Sequence, residues 1–497
     1  MINMFSDLII WVGMQRAIDL YSKNSPVYEY FLTYEGSYSY SELTGIEDQG
    51  VCHLDDLLYL FNPHLDLVEF PTLRTDSDKA IRDTMVKMWT NFAKKDVPVP
   101  PEGDLDFNWS PYQDSHQYLE IMLQPGNLVF FLVCITFYSF FCLEMNFSDS
   151  VKERLDFWEA TFPLAPRVKT QFGTMIGVWE RSEQDHLYKA FKGIRYGRQT
   201  RRFQEAEPVE DFEIFFHADK EGNICPQLEG PYQVPGEMNE DCLFLNVFTP
   251  SGGENLSVMV WIHGGAFTRG SGGDYFYGPQ FFIDKNIILV TLNYRLGAFG
   301  FLSFESESSP GNMGLRDQNL ALKWVKNNIN SFGGNPESIT LFGESAGSFS
   351  VMYQVLSPFS NGLFNRAIAQ SGAPFGSLIS GSRLGKPQRI AFALAKALNC
   401  NTGTEGAMLT CLENKSTQEI LEANYICVED GICSVNPWDA VVDRVSKDPF
   451  LPDTPENLLK TGTTFNEFEL CSSTTYHCGV HIHRGVYILN HRLKICG

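Results

Sequence analysis

The stretch Ser338-Ile-Thr-Leu-Phe-Gly-Glu-Ser-Ala-Gly347 limits what this chain can fold into more than any other. Ile339 to Phe342 is short, apolar and β-prone, Gly343-Glu-Ser-Ala-Gly347 follows at once, and Ser348 to Leu356 reads as a helix. A strand, a tight turn and a helix in that order put Ser345 at the tip of a sharp bend. Glycine is needed at 343 and 347 because a Cβ at either position would collide with the neighbouring strand or helix. Such a bend lifts a hydroxyl clear of the sheet, where it can act as a nucleophile. Gly-x-Ser-x-Gly also arises by chance, so its neighbours decide how it is read.

A second apolar strand, Leu256 to Ile262, ends in His263-Gly-Gly-Ala-Phe267. Glycines after a strand can turn consecutive backbone N–H groups toward one point, as an oxyanion requires. Gly265 and Ala266, with the N–H of Ala346, are the expected donors. The other reading is a plain glycine turn.

Further motifs follow in a fixed order: Glu240-Asp-Cys-Leu-Phe-Leu-Asn-Val247, Asn293-Tyr-Arg295, Gly311-Asn-Met-Gly-Leu-Arg-Asp-Gln318 and Phe332-Gly-Gly334. With the two glycine turns they make the chain resemble the type-B carboxylesterases, a family that includes cholinesterases, juvenile hormone esterases and the non-catalytic neuroligins. The resemblance runs from about Val168 to Glu469. It implies an α/β-hydrolase fold, a mostly parallel sheet flanked by helices, here incomplete. It also implies a small-molecule ester substrate, no cofactor and disulfides Cys225–Cys242 and Cys400–Cys411. Disulfides would mean an oxidising compartment, and Asn-x-Ser sequons at Asn146, Asn255 and Asn414, with a poorer one at Asn108 followed by Pro111, agree with a secreted glycoprotein.

The first 125 residues carry their own likeness. Val27 to Tyr34 reads as a strand, and Gly50-Val-Cys-His-Leu-Asp-Asp-Leu-Leu-Tyr-Leu-Phe61 follows a polar loop. Ile81, Met85, Met88, Trp89 and Phe92 then recur at helical spacing before Pro98. This resembles the C-terminal end of the same family, and the histidine of its Gly-Val-x-His stretch, the family's catalytic base, corresponds to His53. In that fold the chain order is serine, acid, histidine, whereas here the histidine comes first. The resemblance therefore implies the tail of one esterase (1–125) joined to the head of another (166–470).

Between them lies 126–165, where Leu128 to Leu143 is sixteen residues without a charge. That is short of the roughly 20 a membrane helix needs. Its Phe-Tyr-Ser-Cys-Leu composition reads as translated intron, with a short membrane anchor as the alternative. Val151, Leu155, Trp158 and Phe162 mark a helix. At the N terminus, Met1 to Asp7 lacks the basic start of a leader peptide, and Phe5, Leu8, Ile9, Val12, Ile18 and Tyr21 predict an amphipathic helix instead.

A net charge of −22 argues against nucleic acid or an anionic membrane surface as partner and leaves the oligomeric state open. The strand starting near Phe465 should deliver the triad acid, yet no Asp or Glu follows Glu469. The 471–497 tail holds His477, Cys478, His481 and His483 without a known ligand spacing, so no metal site is expected. Ester hydrolysis needs Ser345 as nucleophile, an imidazole as base and an acid that fixes its tautomer. The expected product is a serine hydrolase impaired for want of that acid. The alternative is a non-catalytic, cholinesterase-like binding protein.

Overall fold

In the computed structural model, ten strands form one sheet: β1 Val27–Leu32, β2 Leu119–Ile121, β3 Val178–Arg181, β4 Leu187–Arg195, β5 Phe244–Pro250, β6 Leu256–Ile262, β7 Ile288–Leu292, β8 Gly334–Glu344, β9 Arg366–Gln370 and β10 Glu469–Thr474. Their spatial order is β2-β1-β10-β9-β8-β6-β7-β5-β4-β3. Pairing is parallel from β2 through β7 and antiparallel from β7 through β3. The described residues are most of 165–461, except 172, 210–214, 229–233, 375–385, 401–402 and 424–436, together with 469–474; before residue 125 they are chiefly 26–32, 55–61, 75–99 and 119–121.

Alternation along the central strand explains the layers. Val258, Val260 and Ile262 of β6 enter one hydrophobic core, while Met259 and Trp261 enter another on the opposite face. A strand buried on both sides belongs in the middle of a three-layer α/β domain. The first face is covered by α2, Met313–Asn328, and α3, Ala346–Leu356, with Leu315, Leu322 and Val325 turned inward.

The second face is covered by residues from early in the chain. Helix α1, Asp76–Lys95, starts at a capping box between Thr75 and Asp78 and ends at Asp96, whose φ is 64°, two residues before Pro98. Its Ile81, Met85, Trp89 and Phe92 pack in the same core as Trp261, Phe342 and Ile368. Phe61 meets Trp261 with ring centroids 4.8 Å apart. The N-terminal segment is thus a structural layer of the sheet that carries Ser345, and β1 sits in that sheet against β10.

Some details differ from the sequence reading. The strand before Ser345 begins at Gly334, because a register shift between Leu256 and Val258 lets it pair through its polar start. Beyond β9 the sheet takes in Glu469–Thr474, so the expected strand continues past residue 470, while Phe465 lies outside the described residues. Both expected disulfides are closed, Cys225–Cys242 and Cys400–Cys411. His53, the 128–143 run, residues 151–162 and the histidine-bearing tail lie outside the described residues, as do Phe5, Leu8, Ile9, Val12, Asn108 and Asn146. Ile18 and Tyr21 are helical and buried.

Candidate active site

Ser345 joins β8 to α3 with φ 54° and ψ −121°. A non-glycine residue held at positive φ with extended ψ stores strain of order 1–3 kcal/mol, which the surroundings must enforce. They do so at close range. The Ser345 N–H donates to the Gln370 carbonyl at the end of β9 (2.9 Å), and its own carbonyl accepts from Phe349 N (3.0 Å). A Cβ on Gly347 would lie 2.1 Å from the Ile262 carbonyl, so α3 can begin there only against a bare backbone. The Ser345 side chain makes no capping bond to α3. Ala346 is the first residue of that helix, with an N–H that has no partner inside the helix.

The loop after β6 faces this bend. An added Cβ on Gly264 would come within 3.2 Å of Ser345 Cβ and 2.8 Å of the Glu344 carbonyl. Gly265 has φ 105°, and Ala266 and Phe267 have φ 55° and 59°. Three successive residues with positive φ turn the backbone sharply at one place. Gly265 is half-buried and Ala266 exposed. Two expected donors, Gly265 and Ala266, thus follow the residue that abuts the serine, and the third, Ala346, is next to it in sequence.

Buried groups support the loop from beneath. His263 stacks on Tyr294 with centroids 4.5 Å apart, and its Nδ1 lies 2.8 Å from the Gly264 carbonyl. Burial pushes its pKa down to about 4, so the imidazole is neutral near pH 7 and Nδ1–H donates to that carbonyl. Glu344 is buried beside Ser345, and desolvation raises its carboxyl well above the usual range.

His53 lies outside the described residues, but the chain just after it does not. Asp55–Tyr59 forms a short 3-10 turn, and Asp56 Oδ2 accepts from Gln370 Nε2 (2.8 Å) and from the Tyr30 hydroxyl (3.2 Å). Gln370 therefore holds the Ser345 backbone with its carbonyl and the stretch beginning two residues after His53 with its side chain. Sequence reasoning passed over Gln370 and Asp56. An amide at a strand end has no local pattern, although a pair of acids opening the apolar run Leu57 to Phe61 is an unusual thing to bury.

Among the described residues no group of three or more His, Cys, Asp or Glu could hold a metal ion, and no helix is long and apolar enough to cross a membrane. A cleft of about 430 Å³ bordered by Tyr196, Arg316, Asn319, Lys323 and Trp324 shares no lining residue with the neighbourhood of Ser345.

A profile of the carboxylesterase family matches residues 1–130 and 164–490. The chain is 37% identical over 310 residues to venom carboxylesterase-6 of Apis mellifera, covering 61% of this chain and 55% of that one. It is 38% identical over 315 residues to juvenile hormone esterase of Tribolium castaneum, covering 60% and 53%. Acetylcholinesterase of Danio rerio is 39% identical over 329 residues, covering 61% and 49%. The chain spans about half the length of these curated relatives.

Proposed function

The chain belongs to the carboxylesterase family, and from that premise we propose that it is a carboxylic ester hydrolase acting through Ser345. The observation that carries this reading is the strained Ser345 bend set directly against Gly264. In the proposed reaction Ser345 Oγ attacks the ester carbonyl while His53 takes its proton, and the N–H groups of Gly265, Ala266 and Ala346 receive the developing oxyanion. The alcohol leaves with that proton, and water then releases the acid from the acyl-enzyme by the same steps. The Asp56–Gln370–Ser345 chain of bonds supports bringing the His53 stretch to the serine.

No carboxylate follows Glu469, so the third triad position is proposed to be empty. In the serine-protease triad, disabling the acid costs about 10⁴ in turnover. Hydrolysis of 4-nitrophenyl acetate by the 497-residue chain is therefore expected to be slow and to vanish in Ser345→Ala and His53→Ala. Rapid turnover lost in Ser345→Ala would mean that another acid serves. No turnover above the uncatalysed rate would favour a non-catalytic binding protein, and turnover indifferent to Ser345 would overturn the role of Ser345.

The closed disulfides and the exposed sequons at Asn255 and Asn414 support secretion as a glycoprotein. Loss of mass on enzymatic removal of N-glycans from protein made in a secreting host tests this; unchanged mass contradicts it. The order of the pieces, His53 before Ser345, supports a join between the tail of one family chain and the head of another. A single spliced message running through codons 120 to 170 would show that one messenger encodes both pieces; two separate messages ending and starting there would show that they are not one chain.

A further inference from the structure

The residue that aims the oxyanion turn is not part of it. Gln227 is buried, two residues beyond Cys225 of the Cys225–Cys242 disulfide. Its amide grips Gly270 on both sides: Oε1 accepts from Gly270 N (2.9 Å), and Nε2 donates to the Gly270 carbonyl (3.0 Å). The second Nε2 hydrogen reaches the Cys225 carbonyl (3.0 Å), which fixes the orientation of the amide. A primary carboxamide is the side chain that offers an acceptor and two donors at that spacing.

The grip matters because of what Gly270 and its preceding peptide touch. An added Cβ on Gly265 would meet the Arg269 carbonyl at 2.2 Å. An added Cβ on Gly270 would meet His263 Nδ1 at 2.5 Å and the Gly264 carbonyl at 2.9 Å. The Arg269–Gly270 peptide is therefore wedged between the two halves of the His263-Gly-Gly265 turn. The N–H groups of Thr268 and Arg269 both donate to the Gly265 carbonyl, closing the loop on itself. In a close-packed contact of this kind, a shift of the Arg269–Gly270 peptide displaces Gly265 as well.

We propose that Gln227 is a positioning residue for ester hydrolysis. Anchored on the disulfide segment, it holds the Arg269–Gly270 peptide so that Gly265 and Ala266 present their N–H groups to the oxyanion. This rests on the reading of Ser345 as nucleophile and of that turn as oxyanion site. Gln227 touches no reacting atom, so its loss should weaken the bound transition state and leave ground-state binding intact.

A pair of ketones tests this. An alkyl trifluoromethyl ketone is attacked by the serine, a bond forms from Oγ to the carbonyl carbon, and the carbonyl oxygen becomes an oxyanion; the matching methyl ketone binds without that step. The full chain should bind the trifluoromethyl ketone far more tightly than the methyl ketone. In Gln227→Ala that preference should fall roughly 100-fold, the scale of a catalytic group misplaced by about 1 Å, with the methyl ketone bound as before. In Gln227→Glu, which keeps the volume, an ionised carboxylate can accept from Gly270 N but confronts two carbonyls, whereas the protonated form has an O–H to donate. That variant should regain part of the preference on going from pH 8 to pH 5, relative to the parent at the same pH, and it serves if Gln227→Ala does not fold. An unchanged preference in Gln227→Ala, or affinities for both ketones falling by the same factor, overturns the role of Gln227 alone. A parent with no preference overturns this role together with the reading of Ser345.

Discussion

His263 shows how a residue next to the site gives the protein a pH dependence. Its imidazole is buried, lies against Tyr294 and donates to the Gly264 carbonyl, and burial lowers its pKa from 6.5 to about 4. The unfolded chain takes up a proton near 6.5 while the folded chain does not until about 4. Stability contributed by the neutral form is thus fully present above the unfolded pKa and is lost as pH falls through that window, by about 3 kcal/mol in all. His263→Asn, which keeps a donor near Nδ1, should lower stability at pH 8 but flatten its fall between pH 6.5 and 4, read by urea unfolding at each pH; an identical slope contradicts this. Glu344 has the opposite sign. Its carboxyl is raised, so stability is present below the ordinary carboxylate pKa and is lost as pH rises. Glu344→Gln should accordingly raise the melting temperature more at pH 8 than at pH 5, and an equal change at both would count against a protonated Glu344.

At the scale of elements, the elbow helix is located through its neighbour. Arg295, just past β7, grips Asp317 of α2 through Nε and Nη2, both 2.7 Å from a carboxylate oxygen, and both side chains are essentially inaccessible. In turn α2 holds α3 through Gln318 to Ser350 (2.9 Å) and through Gln354 Nε2 to the Leu315 carbonyl (2.8 Å). A buried ion pair adds little over a well-packed apolar pair, but removing one partner strands a charge. Asp317→Asn is expected to cost about 3–5 kcal/mol, whereas Arg295→Met with Asp317→Leu, which strands no charge, should cost less. The double variant still leaves the Arg295 N–H and the Gln204 carbonyl, which these side chains also hold, unpaired, so its loss should lie between about 1 and 3 kcal/mol rather than at zero. Denaturant midpoints measure both, and a single-variant loss under about 1 kcal/mol would mean the pair is less isolated from water than its burial indicates.

For the whole molecule, the sheet links the two ends of the chain. Strand β1 lies beside β10, and the apolar face of Met259, Trp261, Phe342 and Ile368 is sealed by α1 and Phe61. Exposed to water, a face of that kind aggregates. Residues 166–497 made alone should therefore be insoluble, and supplying 1–125 as a separate chain should recover soluble protein that contains both. A soluble, cooperatively folding 166–497 fragment would show that the N-terminal layer is dispensable.

How much of this could be read in advance depended on how local the cause was. The glycines at 264, 265 and 347 were legible because close approach allows no side chain there, and a glycine pattern after an apolar strand is a local signal. The inward positions of α1 were legible from their 3.6-residue period. The start of β8 was not, since its polar first residues pair only through a register shift that depends on β6. Gln227, Gln370 and Asp56 were passed over for a related reason: their importance comes from partners 43, 314 and 26 residues away in sequence.

The most direct test is of Ser345 itself. After treatment of the full chain with an alkyl fluorophosphonate, which loses fluoride as Oγ bonds to phosphorus, intact mass and peptide mapping would locate any adduct. A single adduct on Ser345, absent from Ser345→Ala and slower to form in His53→Ala, is the predicted result. A chain that stays unlabelled while folded, or one labelled equally in Ser345→Ala, would contradict a nucleophile at that bend.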